Sequence, residues 1–519
     1  MNRKWWTLIA VSTGTFMLLL DITIVNVALP RIQAGLHSSF TDLQWVVDAY
    51  ALTLAALLLT AGSLADRLGR RRVFAAGLVL FSASSLLCGV AQSPLMLNLS
   101  RGLQGIGGAM MFATSLALLG NAYRGRDRGV AFGVWGAVTG AAVSIGPIAG
   151  GALTQGLSWR WIFLVNVPIG VVALSFTLSK VEESRAPQGA KLDLPGFVTF
   201  TAALATLVFG LIESGLKGWG SGVVYGCLIA SGVLIVAFVV IERRSRAPML
   251  DLTLFRVPAF AGAAIVAFAV SASIFAMFLY LTLYLQDVLG LSPLATGLRF
   301  LTLSGVVLVA SGISGRLTTV VPVRLLMGAG LLLAGLSLML MRGVSVTSHW
   351  THLLPAFLIG GLGVGLINPP LASTAIAVVP QRQAGMASGI NSTFRQVGFA
   401  TGIAALGSIF TSKIRAHVTA GLHAAHLGGA NALTTAISNG QTSTAISHVA
   451  VSSRAAVAAV ARASFIASLN DIFLIAAIVA FAGGVSALIL VRSRDFVAQG
   501  THATGEPAPV EPAGAAAGA

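Results

Sequence analysis

Stretches of about twenty apolar residues, the length at which an α-helix spans a bilayer, recur along the whole sequence. Short segments that hold most of the charge separate them. Only 9% of the 519 residues are charged, against about 25% in a soluble globular protein. The pattern therefore predicts an all-α membrane protein that crosses the bilayer many times.

Fourteen of these stretches are predicted to be membrane helices. Most lysines and arginines lie in connections on the same side as the N-terminus, which is the asymmetry of cytoplasmic loops. An even number of crossings then places both termini in the cytoplasm. The net charge of +16 follows from this topology, and no nucleic-acid partner is expected. The predicted helices cover residues 5–29, 44–65, 73–91, 95–121, 130–154, 161–178, 195–214, 222–241, 259–285, 294–315, 323–342, 353–377, 386–411 and 465–491.

A weak internal repeat organises these helices. The stretch GSLADRLGRRRV (62–73) is echoed by SGISGRLTTVVPVR (311–324), and GIGGAM (105–110) by GGLGVG (360–365). Both offsets are about 250 residues, which pairs the first six helices with the last six, as in transporters built from repeats. The predicted units are an N-terminal half at 1–178, two inserted helices at 179–258, a C-terminal half at 259–496 with a long outer loop at 412–464, and a disordered cytoplasmic tail at 497–519.

Catalytic and ATP-driven functions are not expected. No lysine stands in a phosphate-binding loop, which needs a preceding Gly and a following Ser or Thr. The zinc motif HExxH is absent, and His417, His423 and His426 in the outer loop lack carboxylate or Cys partners. The sequence therefore predicts no enzyme, no metal and no cofactor. In the same loop, AVSSRAAVAAVARASF is predicted to form a short amphipathic helix on the membrane surface.

The first helix contains a carboxylate in the stretch LDITIVNVALP. A charged Asp at the centre of a membrane helix costs about 2.5–3.5 kcal/mol on insertion scales. Asp21 lies about 12 Å inside the outer end of helix 1 and Arg101 about 9 Å inside that of helix 4, at the helical rise. Gln104 shares the face of Arg101. An ion pair is predicted, and it is either a fixed structural pair or a site that exchanges a proton.

Five stretches together resemble one family. LDITIVNVALP, GSLADRLGRRRV, RGLQGIGGAM, SIGPIAGG and WRWIFLVNVPIG lie in this order between residues 20 and 170. They resemble the major facilitator superfamily, in particular its fourteen-helix drug:proton antiporters of the EmrB/QacA type. That resemblance implies two six-helix halves plus two inserted helices, in a bacterial inner membrane. It also implies proton-coupled export of drugs or other lipophilic or cationic small molecules by alternating access.

Further residue roles are implied by the same resemblance. The resemblance gives Arg101 a part in proton coupling, and Asp21 is expected to carry the proton because it can either pair with Arg101 or take up a proton. Protons would be the coupling ion. The gating motif comprises Gly62, Asp66, Arg67, Gly69, Arg70 and Arg71, with Asp66 expected to dock against the other half beside a helix N-terminus and Arg124. The antiporter kink motif comprises Gly146, Pro147, Gly150 and Gly151, and is expected to seal the contact between the halves.

The remaining candidates concern the substrate path. Asp48 and Glu213 are predicted near outer helix ends, where snorkelling makes a charge inexpensive. Asn368, followed by Pro369 and Pro370, is expected to interrupt helix 12, and Arg395 to face a cavity or an acid. Gln104 and Trp135 complete the path, with Phe275, Phe278, Tyr280 and Phe394 as further parts of an aromatic wall.

The expected partners are a small-molecule substrate and membrane lipids, with a single chain as the working unit. Two other functions stay open at this point. One is a transporter of a defined metabolite, such as an amino acid, a siderophore or an endogenous natural product. The other is a receptor that transports nothing, which the charges within the helices disfavour because a passive anchor has no use for them.

Overall fold

The computed structural model describes residues 3–123, 125–185, 193–245, 248–379, 384–426, 430–447 and 449–496. Within these ranges the chain is helical without β-strands, and fourteen helices are long and apolar enough to cross a membrane. The predicted fold class is confirmed. The helices are α1 Arg3–Leu36, α2 Phe40–Leu68, α3 Arg70–Gly89, α4 Pro94–Ala122, α5 Gly125–Gly156, α6 Trp161–Lys180, α7 Leu194–Lys217, α8 Gly222–Arg244, α9 Pro258–Val288, α10 Pro293–Leu317, α11 Val323–Met341, α12 Leu354–Ala377, α13 Ala384–Ala424 and α14 Val451–Leu490.

The predicted outer loop at 412–464 is largely helical, which corrects the sequence-based prediction. Helix α13 continues to Ala424 and α14 starts at Val451, so the predicted surface helix is the first part of α14. The Ala-rich sequence there has high helix propensity and no proline to stop it. Between α13 and α14 lie two short helices, Ala430–Ser438 and Thr442–Ser447. With 41 residues, α13 is about 60 Å long, twice the thickness of a bilayer's apolar core.

Helix α12 also differs from its prediction. It runs without interruption through Pro369 and Pro370. A proline removes one backbone hydrogen bond and bends a helix, and membrane helices tolerate this because neighbouring groups compensate. The interruption expected after Asn368 is therefore absent.

Helices α1–α6 form one packed unit and α9–α14 form another, here named the N-half and the C-half. Corresponding helices use glycine in the same way. In α4, Gly105 lies against α2 and Gly107 against α3; in α12, Gly365 lies against α10 and Gly363 against α11. Such matching contacts are what a repeat of six helices would produce.

The end of the bundle at which α1 starts and α14 ends is here named the terminal face, and the opposite end the distal face. The halves meet along an α5/α10 seam and an α2/α13 seam. On the α5/α10 seam, the Ser144 hydroxyl donates to the Ser304 carbonyl at 3.2 Å and the Ser304 hydroxyl to the Ser144 carbonyl at 3.3 Å. Nearer the distal face, the Leu294 N–H donates to the Gln155 side chain at 3.2 Å.

Towards the terminal face the same seam is open. A methyl group added at Gly133 or Gly136 of α5, or at Gly312 or Gly315 of α10, would meet no atom within 4 Å, whereas one at Gly140 would lie 3.3 Å from Leu308 of α10. Nearer the distal face, a methyl group at Gly151 would lie 2.6 Å from a backbone oxygen of the other half. Along this seam the halves are therefore in contact from the distal face as far as Gly140 and Leu308, and the glycines nearer the terminal face have no neighbour across it.

A segment of the C-half covers the distal end of the N-half. The Phe40 N–H at the start of α2 donates to the Asn439 carbonyl at 3.0 Å, and the Gln33 amide of α1 donates to the Gly440 carbonyl at 3.3 Å. In addition, the Gln286 amide of α9 donates to a carbonyl of α1 at 2.7 Å. These polar contacts strengthen closure at the distal face.

The inserted helices lie outside the two halves, against the α2/α13 seam. Within that seam, the Gln44 amide of α2 donates to the Ile403 carbonyl of α13 at 3.3 Å. Helix α7 covers it: the Ser214 hydroxyl is hydrogen-bonded to that of Ser408 in α13. Helix α8 packs on α7, and most of its surface is exposed to the surroundings, as expected of a helix at the lipid boundary.

Candidate functional site

The Asp21 carboxylate lies in the interior of the N-half with no exposed surface, and the predicted ion pair is present. The Arg101 guanidinium donates to Asp21 Oδ2 at 2.5 Å through an NH1 that also contacts Gln104 Oε1 at 2.6 Å. Arg101 itself is only 1% exposed. A buried charge pair requires further hydrogen bonds to offset the loss of water, and this one has them.

Two amides complete the surroundings of Asp21. Gln104 Nε2 donates to Asp21 Oδ1 at 2.9 Å, and Asn166 Nδ2 of α6 donates to the same oxygen at 3.1 Å. Both amides also donate to the Ser85 hydroxyl oxygen of α3, at 2.6 and 3.1 Å. The carboxylate thus gathers donors from α4 and α6 around α1. Asn166 and Ser85 were not predicted, although Asn166 is a polar residue within the apolar part of WRWIFLVNVPIG.

Arg101 also connects this site to α2. Its Nε donates to the Val46 carbonyl at 2.9 Å, and its guanidinium carbon lies 4.3 Å from the centre of the Tyr50 ring. A cation over an aromatic face is attracted by the ring's charge distribution, the more so away from water. Arg101 therefore holds the acid of α1 and the backbone of α2 together.

Asp48 is not a snorkelling residue, which corrects the prediction. It is fully buried, and neither of its carboxylate oxygens has a hydrogen-bond partner among the described residues. It follows Gln44 by one turn, on the part of α2 that meets α13. The prediction failed because the C-half and α7 pack over this end of α2. The sequence of α2 alone does not indicate which helices pack against it. Glu213, by contrast, stays near the surface and pairs with Lys217 at 2.9 Å.

The gating motif folds back onto its own half. Gly69 has φ +112°, a conformation that favours glycine, and makes the turn between α2 and α3. Just beyond it, the Glu183 carboxylate accepts from the N–H groups of Arg71 at 3.0 Å and Arg72 at 3.3 Å. An acid at a helix N-terminus satisfies free backbone donors and the helix dipole. Glu183 was missed because it follows α6, far from the motif in sequence.

Asp66 makes no contact with the C-half within the described residues. It accepts from Arg70 Nε at 3.0 Å and NH2 at 2.8 Å, one turn along the chain. Its expected partner Arg124 lies outside the described residues. A methyl group at Gly62 would meet nothing within 4 Å, so no helix approaches closely at this glycine, and Arg67 is exposed. The expected docking of Asp66 against the C-half therefore stays a prediction.

The kink motif contacts both the N-half and the C-half. Methyl groups at Gly146 and Gly150 would run into α1, at Thr23 and Ile24. A methyl group at Gly151 would lie 2.6 Å from the Pro293 carbonyl oxygen of α10. One turn earlier, the Pro147 carbonyl lies where a methyl group on Gly297 of α10 would stand. Gly297 was not predicted, since only the fold places it opposite Pro147.

Three remaining candidates occupy separate places. The indole N–H of Trp135 donates to the Thr15 hydroxyl at 3.0 Å inside the N-half. Asn368 has a buried side-chain oxygen without a hydrogen-bond partner in the described chain. Arg395 is half-buried, and no acid lies within ion-pair distance of it among the described residues. These three side chains do not share the Asp21 site.

The predicted aromatic wall is not one surface. Phe278 stacks on Phe275, with ring centres 6.1 Å apart, within the C-half. Tyr280 is buried, 5.8 Å from Phe40 across the halves, and Phe394 contacts Phe255 near the start of α9. Helical spacing cannot reveal which aromatic side chains converge. Helix α9 also contains two π-helical turns, at 271–275 and 284–288. Each turn rotates the side chains that follow it relative to a regular α-helix, and the sequence does not reveal this.

Comparison with known proteins finds one matching family model and relatives that are named for drug resistance or export. The family model described as Major Facilitator Superfamily matches residues 11–403. The chain is 37% identical over 421 residues to the puromycin resistance protein pur8 of Streptomyces alboniger, covering 80% of this chain and 84% of that protein. It is 39% identical over 423 residues to the multidrug resistance protein Stp of Mycobacterium tuberculosis (strain ATCC 25618 / H37Rv), covering 80% and 78%.

A third relative is named as an exporter. The tetracenomycin C resistance and export protein of Streptomyces glaucescens is 35% identical, covering 80% of this chain and 77% of that protein. Among solved structures, a bacterial homolog to the human lysosomal transporter Spinster, inward-facing and unoccupied, matches with a TM-score of 0.59. It covers 96% of this chain and 99% of that one at 18% identity, so this likeness concerns the fold alone.

Proposed function

The chain belongs to the major facilitator superfamily and is a membrane transporter, not an enzyme, and we propose that it is a proton-coupled antiporter. Its substrates would be drugs or other lipophilic or cationic small molecules, expelled across the cell membrane by alternating access. The names of the relatives support the substrate class, since they describe resistance to or export of such compounds. The termini, and with them the terminal face, would lie in the cytoplasm.

One observation supports the proposed proton coupling: the Asp21 carboxylate is fully buried within the N-half beside Arg101. Asp21 can be accommodated there in two ways. As a carboxylate it is neutralised by the guanidinium, and as a neutral acid it needs no counter-charge. A site that is stable in both forms can take up and release a proton during a cycle.

A physical route links this site to the contact between the halves. Arg101 donates both to Asp21 and to the Val46 carbonyl of α2. Two residues before Val46 on α2, Gln44 donates to Ile403 of the C-half. Protonation of Asp21 would weaken its attraction for Arg101, and the change would be passed to α2 and the α2/α13 seam. Asp48, buried without a partner on the same stretch, would be a second carboxyl able to carry a proton.

The cycle follows from this arrangement. With the terminal face open, the deprotonated protein binds substrate from the cytoplasm or the inner leaflet. The halves then rock, the distal face opens, and a proton displaces the substrate. One proton that enters the cytoplasm down a membrane potential of about 150 mV releases roughly 3.5 kcal/mol. That energy supports a substrate gradient of a few hundred-fold.

A transporter for one defined metabolite is the second candidate. It would use the same proton site and the same seams. The predicted aromatic residues do not form one wall, and this leaves a narrower binding site open. A substrate panel distinguishes the two candidates, since a drug exporter responds to several unrelated compounds and a metabolite carrier to one class.

The test measures proton movement in inverted membrane vesicles that contain the full chain. Lipophilic cations, antibiotics and metabolites are added in turn, and the internal pH is followed by a fluorescent dye. We expect several compounds to release protons. Asp21→Asn should abolish this release and leave a folded protein, because the amide has the size and shape of the neutral acid, a form that the proposed cycle itself requires the site to hold.

Asp127→Asn is the matched control, since Asp127 is an exposed acid paired with Lys4 at the terminal face. It should keep full proton release. Substrate export that continues undiminished in Asp21→Asn would refute the role of this acid. An Asp21→Asn protein that fails to fold would instead favour a fixed structural pair.

A further inference from the structure

Three arginines surround a recess of about 440 Å³ where α11 and α14 meet at the terminal face. Arg324 stands at the start of α11, while Arg492 and Arg494 follow the end of α14. The two helices are in tight contact just above, where a methyl group on Gly328 would lie 2.5 Å from Leu488. Helix packing therefore fixes the start of α11 beside the end of α14, and the recess between them is open to the surroundings.

The positive charge of this recess is largely uncompensated. Within the described chain, no acid lies within 4.0 Å of the charged groups of Arg324 or Arg492. Arg494 lies 3.9 Å from the Asp495 carboxylate, and that carboxylate also accepts from the Ala259 N–H at 3.1 Å. Asp495, which also accepts a backbone hydrogen bond, is thus the one acid close to these three arginines within the described residues. A compact anion would be attracted here.

An apolar row continues from the recess along the outside of α14. Ile489 lines the recess and is 58% exposed, with Val485 at 49% one turn earlier and Ile478 at 57% on the same side. On α11, Leu325 adjoins Arg324 and is 45% exposed. In a membrane protein such exposed apolar side chains face acyl chains. The recess therefore joins a cationic end to a lipid-facing row.

We propose that this recess binds the phosphate headgroup of an anionic phospholipid. Its acyl chains would lie along Ile489, Val485 and Ile478 of α14. Basic recesses between membrane helices are suited to such headgroups, because arginine matches phosphate oxygens in both geometry and charge. The bound lipid would tie the start of α11 to the end of α14 within the C-half. This proposal does not depend on the transported substrate.

The test uses native mass spectrometry of the purified full chain in detergent, titrated with dioleoyl-phosphatidylglycerol or dioleoyl-phosphatidylcholine. We expect one phosphatidylglycerol to bind in preference to phosphatidylcholine. In the variant Arg324→Gln/Arg492→Gln/Arg494→Gln, binding should weaken at least about tenfold. The matched control Arg243→Gln/Arg244→Gln/Arg316→Gln removes the same charge from the same face and should keep the bound lipid.

Two results would overturn the proposal. Equal weakening in both triple variants would show that lipid is attracted by the overall charge of the face. Displacement of the lipid by millimolar inorganic phosphate, with equal affinity for short-chain phosphatidylglycerol, would show a site for free anions. A thermal shift keeps the test valid if the recess variant is fragile: dioleoyl-phosphatidylglycerol should raise the melting temperature of the control variant and not that of the recess variant.

Discussion

At the scale of single residues, Arg101 is the centre of the candidate site. Its guanidinium donates to Asp21, to Gln104 Oε1 and to the Val46 carbonyl, and all of these groups are buried. Removing one member of such a network leaves the others without partners in a medium that cannot replace them. Removing the arginine takes the donor from three buried acceptors at once, whereas neutralising the acid leaves every side chain of the network in place.

We predict that Arg101→Met destabilises the protein by about 3–5 kcal/mol, because Asp21 loses its counter-charge and the buried Gln104 Oε1 and Val46 carbonyl lose their donor. Asp21→Asn should cost less, since the amide has the shape of the neutral acid and every other side chain of the network stays in place. The free energy of unfolding in detergent, followed by SDS titration, checks this. The double variant Asp21→Asn/Arg101→Met should be no less stable than Arg101→Met, and a further loss equal to the sum of both single effects would show that the two residues act independently.

At the scale of helices, the α5/α10 seam depends on the absence of side chains. Gly297 of α10 receives the Pro147 carbonyl of α5, and Gly151 of α5 lies against Pro293. Pro147 fixes the local bend and the glycines let the backbones touch. The open part of the seam contains glycines without neighbours, including Gly312, so the same helix offers a test and its control.

We predict that Gly297→Ala lowers transport at least about tenfold, because the added methyl group prevents the distal part of the seam from closing. Gly312→Ala should lower transport much less, since nothing lies near its added methyl group in this arrangement. Substrate efflux at matched expression levels is the measurement. Equal effects of both substitutions would place the loss in the general stability of α10, not in the seam.

At the scale of the whole molecule, the two halves are closed at the distal face and open along α5/α10 at the terminal face. Hydrogen bonds across the halves, such as those between Ser144 and Ser304, lie on the closed side. Alternating access requires these contacts to break in each cycle. The arrangement described is therefore one of at least two that a working transporter must visit.

We predict that a disulfide between positions 144 and 304 arrests this movement. In a chain carrying Cys88→Ala and Cys227→Ala, the pair Ser144→Cys/Ser304→Cys should cross-link on oxidation and lose transport, and reductant should restore it. The pair Gly136→Cys/Gly312→Cys, on the open part of the same helices, should cross-link far less. Undiminished transport in the oxidised first pair would contradict movement along this seam.

The sequence alone predicted the fold class, the fourteen helices and the family. Hydropathy and helix length are local properties, and the lipid solvent enforces them one helix at a time. The pairing of Asp21 with Arg101 was also predictable, because two opposite charges at similar depth have few other ways to be satisfied. The five motifs identified the family because each is a short, contiguous stretch.

Only the tertiary structure decided which residues meet. Asn166 and Ser85 join Asp21 because α3 and α6 pack around α1, and Glu183 meets the gating motif from beyond α6. Asp48 is buried because the C-half and α7 cover α2, and Gly297 matters because it faces Pro147. Contacts between distant helices depend on rotation and packing, which periodicity within one helix does not specify. The sequence thus determined what enters the membrane, and packing determined which of its polar groups act together.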